Sequence, residues 1–195
     1  MKLIFATGNR GKLREASDIL GPEFELVTPA DLGIFEEIPE TGDTLRANSI
    51  QKAEYLYERT GLDCFADDTG LEVDALGGAP GVHSARYAGE GHDFNANIEK
   101  LLAEMEGVPE ELRTARFKNV VTLIIGGEKY FFEGVVEGKI ATERSGVQGF
   151  GYDPVFKADV FGGKTFAEVG EDAKNSISHR GQTLRAMAAW FKERR

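Results

Sequence analysis

Cysteine is nearly absent from this chain: Cys64 is the only one in 195 residues. No intrachain disulfide can therefore form, and no cysteine cage for a metal can be built. That usage suits a reducing cytosol. Long apolar runs are lacking too. The best, Val120 to Ile125, is interrupted by Thr122 and is far too short to span a bilayer. The Leu3-Ile-Phe-Ala6 run is too short for a signal peptide and leads straight into Thr7-Gly-Asn. A soluble, cytoplasmic protein without a membrane partner is the expectation. Positive charge is also scarce, with 23 basic against 33 acidic residues and a net charge of −10. Such a balance disfavours a nucleic acid polymer as partner, yet leaves room for a local basic pocket that takes one small anion. No internal repeat, low-complexity segment or Pro/Gly/Ser linker divides the sequence. Residues 1–195 are expected to form one domain, in two lobes, with a substantial core.

What is plentiful is glycine, clustered at turns between periodic segments. Leu3 to Ala6 reads as a short buried strand. Lys12 to Leu20 follows as a helix with Leu13, Ala16 and Leu20 on one side, ended by Gly21-Pro22. A second helix is predicted from about Thr44 to Arg59, capped by Asp43 or Thr44 and stopped at Gly61. Cys64 to Ala66 reads as a short strand with Asp67-Asp68 at its C-terminal edge. Phe94 to Met105 reads as a helix with Asp93 near its cap. Arg113 to Ile125 and Lys129 to Val136 read as strands joined by Gly126-Gly127, a hairpin signal, with Lys139 to Glu143 as a further strand. Gln182 to Arg195 closes the chain as a helix with Leu184, Met187, Ala188 and Phe191 inward. Early strand–helix alternation and a later hairpin predict an α/β fold around a mixed sheet flanked by helices.

Three segments carry chemistry. In Thr7-Gly-Asn-Arg-Gly-Lys12, Gly8 and Gly11 let backbone N–H groups approach an anion, and the following helix adds its positive end. Arg10 and Lys12 add charge. The spacing is too short for a G-x-x-x-x-G-K-[ST] phosphate loop, and Leu13 stands where a magnesium-binding hydroxyl belongs. A plain glycine turn capping a helix would look the same. In Asp67-Asp68-Thr69-Gly70, adjacent carboxylates repel unless a cation or proton intervenes, and hard oxygen ligands suit Mg²⁺. Neighbouring side chains on a strand point to opposite faces, so one carboxylate is expected to face a ligand and the other to make structural hydrogen bonds. A simple Asp-Thr-Gly turn is the bland alternative. Glu40, fixed by Pro39 at the end of an acidic loop, could bring a second carboxylate; such loops are commonly just solvated. Lys52 could reach a phosphate or stay exposed.

The third segment is Gly149-Phe-Gly-Tyr-Asp153, joined later in the chain by Lys174 and Ser178-His-Arg180. A ring flanked by glycines can stack on a base, or it can plug the core. His179 and Arg180 open the last helix with two donors at its positive end, suited to a carbonyl or phosphate oxygen. His83 serves either a site or a turn.

Together, Thr7-Gly-Asn…Lys12, Asp67-Asp68-Thr69-Gly70-Leu71, Leu76-Gly-Gly-Ala-Pro-Gly81, Ser84-Ala-Arg86, Phe150-Gly-Tyr-Asp153 and Ser178-His-Arg180 resemble the inosine triphosphate pyrophosphatases, the Ham1-like non-canonical purine NTP pyrophosphatases. The match runs in order over nearly the whole chain. Many members carry a glutamate just before the Asn of the second helix, where this chain has Ala47. The resemblance implies two lobes around a central nucleotide-binding cleft, usually in a homodimer. It implies Mg²⁺-dependent hydrolysis of ITP, XTP and their deoxy forms to the monophosphate and pyrophosphate. By the same resemblance, Thr7, Gly8, Asn9, Arg10, Gly11 and Lys12 hold the triphosphate, assisted by Lys52. Asp68 is base and metal ligand, Glu40 the second ligand, and Thr69 a substrate contact. Phe150, Gly151, Tyr152, Asp153, Lys174, His179 and Arg180 bind the nucleoside end. The rival readings are a related pyrophosphatase acting on standard or pyrimidine nucleotides, as in septum-inhibitor-like relatives, and a non-enzymatic nucleotide-binding regulator.

Overall fold

In the computed structural model, residues 1–194 are described. The chain forms β1 (Lys2–Phe5), α1 (Arg10–Leu20), β2 (Glu25–Val27), α2 (Leu45–Thr60), β3 (Cys64–Val73), β4 (Pro80–Gly81) and α3 (Phe94–Glu104). The second half adds β5 (Thr114–Ile125), β6 (Glu128–Ile140), β7 (Phe156–Ala158), α4 (Phe166–Val169), α5 (Glu171–Ile177) and α6 (His179–Lys192). The strands form one mixed sheet in the order β2-β1-β3-β5-β6-β7, with β4 on β3. β1 runs parallel to both β2 and β3, whereas β3–β4 and β6–β7 are antiparallel.

The first compact unit comprises residues 1–68, 119–134 and the chain from 179 onward. β1 and the parts of β3 and β5 in this unit are buried on both faces, and the period of two decides what each face packs against. Leu3, Phe5, Phe65, Val121 and Leu123 share one core with Ala16 and Leu20 of α1 and Leu184, Met187 and Phe191 of α6. Ile4, Ala6, Cys64, Ala66 and Ile124 face the other way, onto Ala53 and Leu56 of α2. Phe5 and Phe65 stack at 4.3 Å across the parallel pair. Thr44 caps α2 by accepting from the Ala47 amide at 3.0 Å, which is worth about 1 kcal/mol.

The second unit comprises residues 69–118 and 135–178. Its core gathers Leu71 and Val73, Ile98 and Leu101 of α3, Phe117, Ile140, Phe156 and Phe166. Arg113 is buried there and closes backbone gaps, donating to the carbonyls of Met105, Ile140 and Ala141.

Two expectations are corrected. Asp67 and Asp68 do not end a short strand: β3 continues through them to Val73, because Thr69 to Val73 is extended and packs into the second core. Lys139 to Glu143 is not a separate strand; β6 simply runs on to Ile140, where it pairs with Phe156 of β7. The closing helix starts at His179, and Arg195 lies outside the described residues.

Candidate active site

The alternation that builds the first unit also separates the two aspartates. Asp67 falls on the face of Phe65 and so meets α1 and α6; Asp68 falls on the face of Cys64 and Ala66 and so meets α2. Asp67 is 1% exposed. Its Oδ1 accepts from Lys12 Nζ at 3.0 Å, and its Oδ2 from Arg180 Nε at 2.9 Å and Asn119 Nδ2 at 3.0 Å. Burial works against its ionisation, but Lys12, Arg180 and Lys52 outweigh it and hold the carboxyl well below the usual range. Arg180 in turn pairs with Glu15, buried on α1, and burial of the guanidinium is more than offset by these two carboxylates. Thr183 Oγ1 donates to Asn119 Oδ1 at 2.5 Å.

Asp68 is a different case. Its Oδ1 lies 3.4 Å from Lys52 Nζ, while its Oδ2 is buried and has no hydrogen-bond partner. Burial pushes this carboxyl above the usual range, with Glu40 and Asp67 adding to the rise against the pull of Lys52 and Lys12. Lys52, itself buried, also donates to the Asp67 carbonyl at 2.7 Å and pairs with Glu40 Oε1 at 2.8 Å. One ammonium thus joins two carboxylates. Burial disfavours the Lys52 charge, but Asp68, Glu40 and Asp67 raise its pKa overall.

The Thr7–Lys12 loop leads into α1. Asn9 is its cap: Oδ1 accepts from the amides of Gly11 at 2.8 Å and Lys12 at 3.2 Å, while Thr7 Oγ1 accepts from the Asn9 amide. These amides serve the loop itself, while Gly8 and Arg10 are exposed. Lys12 is drawn inward to Asp67, and burial lowers its pKa.

In the second unit, Asp153 organises the Phe150–Asp153 turn. Its Oδ2 accepts from the Phe150 amide at 3.0 Å and from Lys174 Nζ at 2.6 Å. The ammonium lies 4.9 Å from the centre of the Phe150 ring. Tyr152 is buried and donates to the Ser84 carbonyl at 2.7 Å; Ser84 Oγ donates to the Gly81 carbonyl and accepts from the Leu71 amide. Thus the Gly81 and Ser84-Ala-Arg86 segments are anchors for that turn. Phe150 and Gly151 are half-buried, as is Thr69.

In one unit the geometry therefore brings Lys12 and Arg180 to Asp67, and Lys52 to Asp68 and Glu40; in the other it brings Phe150, Asp153 and Lys174 together. His179 is buried in the first unit at the start of α6. Arg180, read from sequence as a donor to substrate, donates here to Asp67 and Glu15. Sequence reasoning passed over Glu15 and Asn119. Asn119 had a signal: it interrupts the apolar face Phe117, Val121, Leu123 of β5.

A family model described as the Ham1 family matches residues 3–190. The chain belongs to the Ham1 family. This Ham1-family chain is 55% identical over 181 residues to a dITP/XTP pyrophosphatase of Porphyromonas gingivalis, covering 92% of itself and 91% of that protein. It is 46% identical over 187 residues to one from Flavobacterium johnsoniae, covering 96% of each. The solved structure of the Staphylococcus aureus Ham1 protein superposes with a TM-score of 0.89 at 35% identity, covering 100% of both chains.

Among the described residues, no group of three or more His, Cys, Asp or Glu side chains could hold a metal ion. The site nonetheless fits Mg²⁺, which takes one or two carboxylates and completes its shell with substrate phosphates and water. Asp68 Oδ2 is the observation that fits: a buried oxygen lacking a partner is costly unless something binds it. No helix among the described residues is long and apolar enough to cross a membrane.

Proposed function

We propose that this protein hydrolyses the triphosphates of deaminated purines, ITP, dITP and XTP, to the monophosphate and pyrophosphate in a Mg²⁺-dependent reaction. Family membership and the names of the relatives support the substrate class. The partnerless Asp68 carboxylate oxygen beside Lys52 and Glu40 supports the chemistry.

Asp68 and Glu40 would hold the Mg²⁺, which when bound neutralises phosphate charge and polarises the bond to the leaving group. The Asp68 carboxylate accepts the proton of the attacking water. Burial serves that role by raising its proton affinity toward that of a working base. The water oxygen forms a bond to the α-phosphorus, the bond from that phosphorus to the bridging oxygen breaks, and pyrophosphate departs. Lys52, with exposed Arg10 and Gly8 at the positive end of α1, offsets the leaving charge. Thr7, Asn9, Gly11 and Lys12 shape that loop, and Thr69 contacts substrate.

In the nucleoside end we include Phe150, Gly151, Tyr152, Asp153, Lys174 and His179. The Phe150 ring offers a stacking face, and Asp153 and Lys174 fix the turn that carries it. A carbonyl at the purine 6-position accepts where the adenine amino group donates, and a site built for the acceptor rejects the other by leaving groups unpaired. Arg180 enters through Asp67, which it holds. On the family resemblance we propose a cytoplasmic homodimer, to be checked by light scattering at working concentration; a monomer mass would reject it.

The test is a pyrophosphate-release screen over ITP, dITP, XTP, ATP, GTP and dTTP, with Mg²⁺ and with excess EDTA. Preferred turnover of the deaminated purines, abolished by EDTA, is expected. Orthophosphate as first product, or full turnover in EDTA, would sink the reading.

A further inference from the structure

The segment bearing Glu40 is held to α2 by consecutive contacts. Side chains at positions 48, 51 and 52 are spaced by three and four residues and lie on one side of the helix. They grip residues 42, 41 and 40 in reverse order. Asn48, buried at 3% exposure, accepts the Gly42 amide on its Oδ1 at 2.7 Å. Gln51 Oε1 accepts the Thr41 amide at 2.8 Å, and its Nε2 donates to Thr41 Oγ1 at 3.0 Å. Lys52 pairs with the Glu40 carboxylate.

The fit at the first of these contacts is tight. A Cβ on Gly42 would stand 2.7 Å from Ala47 Cβ and 2.9 Å from Asn48 Oδ1. The φ of Gly42 is not positive, so glycine is required there by closeness to α2 rather than by backbone conformation. Thr41 and Glu40 are exposed, and neither contributes to the two cores of the unit. Ile38 packs against the α2-facing core two residues earlier, and from Glu40 to Gly42 it is polar contacts to α2 that hold the carboxylate beside Lys52 and Asp68.

We propose that Asn48 and Gln51 are positioning residues for Glu40, and that this clamp sets the affinity of the site for its divalent cation rather than the rate of the chemical step. The proposal rests on Glu40 and Asp68 being the cation ligands. A carboxylate on an unclamped loop must be ordered each time the cation binds, and that ordering weakens binding.

Mn²⁺, which suits the same oxygen donors, serves as the probe, its free concentration read by electron paramagnetic resonance with nucleotide-free protein. Glu40→Gln, Asn48→Ala, Gln51→Ala and the two double variants with Glu40→Gln are compared with the parent. Each clamp variant loses one or two neutral hydrogen bonds, so Mn²⁺ affinity should fall about three- to tenfold. At saturating Mg²⁺ the clamp variants should keep kcat within about threefold of the parent, the whole cost showing as a higher Mg²⁺ requirement. In the Glu40→Gln background the clamp variants should have no further effect. Gln51 is only half-buried, so Gln51→Ala reports even if Asn48→Ala does not fold. Unchanged Mn²⁺ affinity in Gln51→Ala and in any folded Asn48→Ala, with Glu40→Gln weakened, would overturn the clamp alone. Additive losses in the double variants would do the same. Unchanged affinity in Glu40→Gln would overturn the ligand assignment and the clamp with it.

Discussion

Replacing Arg180 with Met tests whether this residue is a buried counter-charge or a reader of the base. Its side chain is 2% exposed and stands between Asp67 and Glu15, which are themselves buried. Met keeps much of the aliphatic volume and removes the charge. Asp67 retains Lys12 at 3.0 Å and Asn119, but Glu15 loses the guanidinium. Breaking a buried pair by deleting one partner costs about 3–5 kcal/mol. For a chain of this length each 1 kcal/mol moves Tm by about 2–4 °C, so a drop of roughly 6–20 °C is expected. Neutralising Glu15 in the double variant Arg180→Met, Glu15→Gln should recover a sizeable part of that loss, since the penalty comes from a buried carboxylate deprived of its guanidinium. Calorimetry gives the stability, and kcat/KM for dITP and ATP gives the specificity. Because Arg180 acts through Asp67 in this account, both substrates should suffer alike. A Tm within about 2 °C of the parent, together with a tenfold or greater fall in the dITP-to-ATP ratio, would refute the counter-charge argument and assign base reading to Arg180.

Other outcomes follow from the same geometry. Asp68→Asn should lose about 10²–10⁴-fold in kcat, as expected for a missing base, while the Tm stays at or above that of the parent because a buried charge is removed; near-parental kcat would dismiss the assignment. Cys64, buried beneath α2, has its thiol pushed up to about 12 by burial and then by Asp63, so iodoacetamide at pH 8 should leave the folded protein unlabelled. A raised folded pKa also means that this thiol's contribution to stability, complete below the unfolded value of about 8.5, is lost as pH rises toward the folded one; urea melts of the parent and Cys64→Ser at pH 8 and 10 measure it. Gly138→Ala would drive a methyl into the Lys157 carbonyl and within 2.8 Å of the Phe156 ring, and overpacking of that kind costs about 1–3 kcal/mol, visible as a lower Tm.

Much of the first unit was legible because its signals are local. The β1 run, the Gly-Asn loop, the cap at Thr44 and the double-glycine hairpin each follow from a few adjacent residues. β3 was read too short because Asp67, Asp68 and Gly70 look like punctuation, whereas long-range pairing and burial keep the strand extended through them. The weak strands β2, β4 and β7 have two or three residues each and no periodicity of their own; their neighbours define them. The same holds for the candidate site. Asp68, Glu40 and Lys52 could be nominated from residue type, but Glu15 and Asn119 could not, because their partners lie 165 and 52 positions away in sequence. Arg180 illustrates the limit most clearly: its place at a helix start advertises a donor, and only the fold reveals which acceptors are near.

The polypeptide passes between its two units four times, after residues 68, 118, 134 and 178, and three of these passages lie inside β3, β5 and β6. Neither unit is a continuous stretch of chain, so neither can be excised as a fragment or completed in order during synthesis. The first unit needs α6, which brings the guanidinium that pairs with Asp67 and Glu15. Without that helix the chain holds two carboxylates with one of their counter-ions missing. Truncation at Ser178 should therefore leave a chain that cannot close around its own acidic residues.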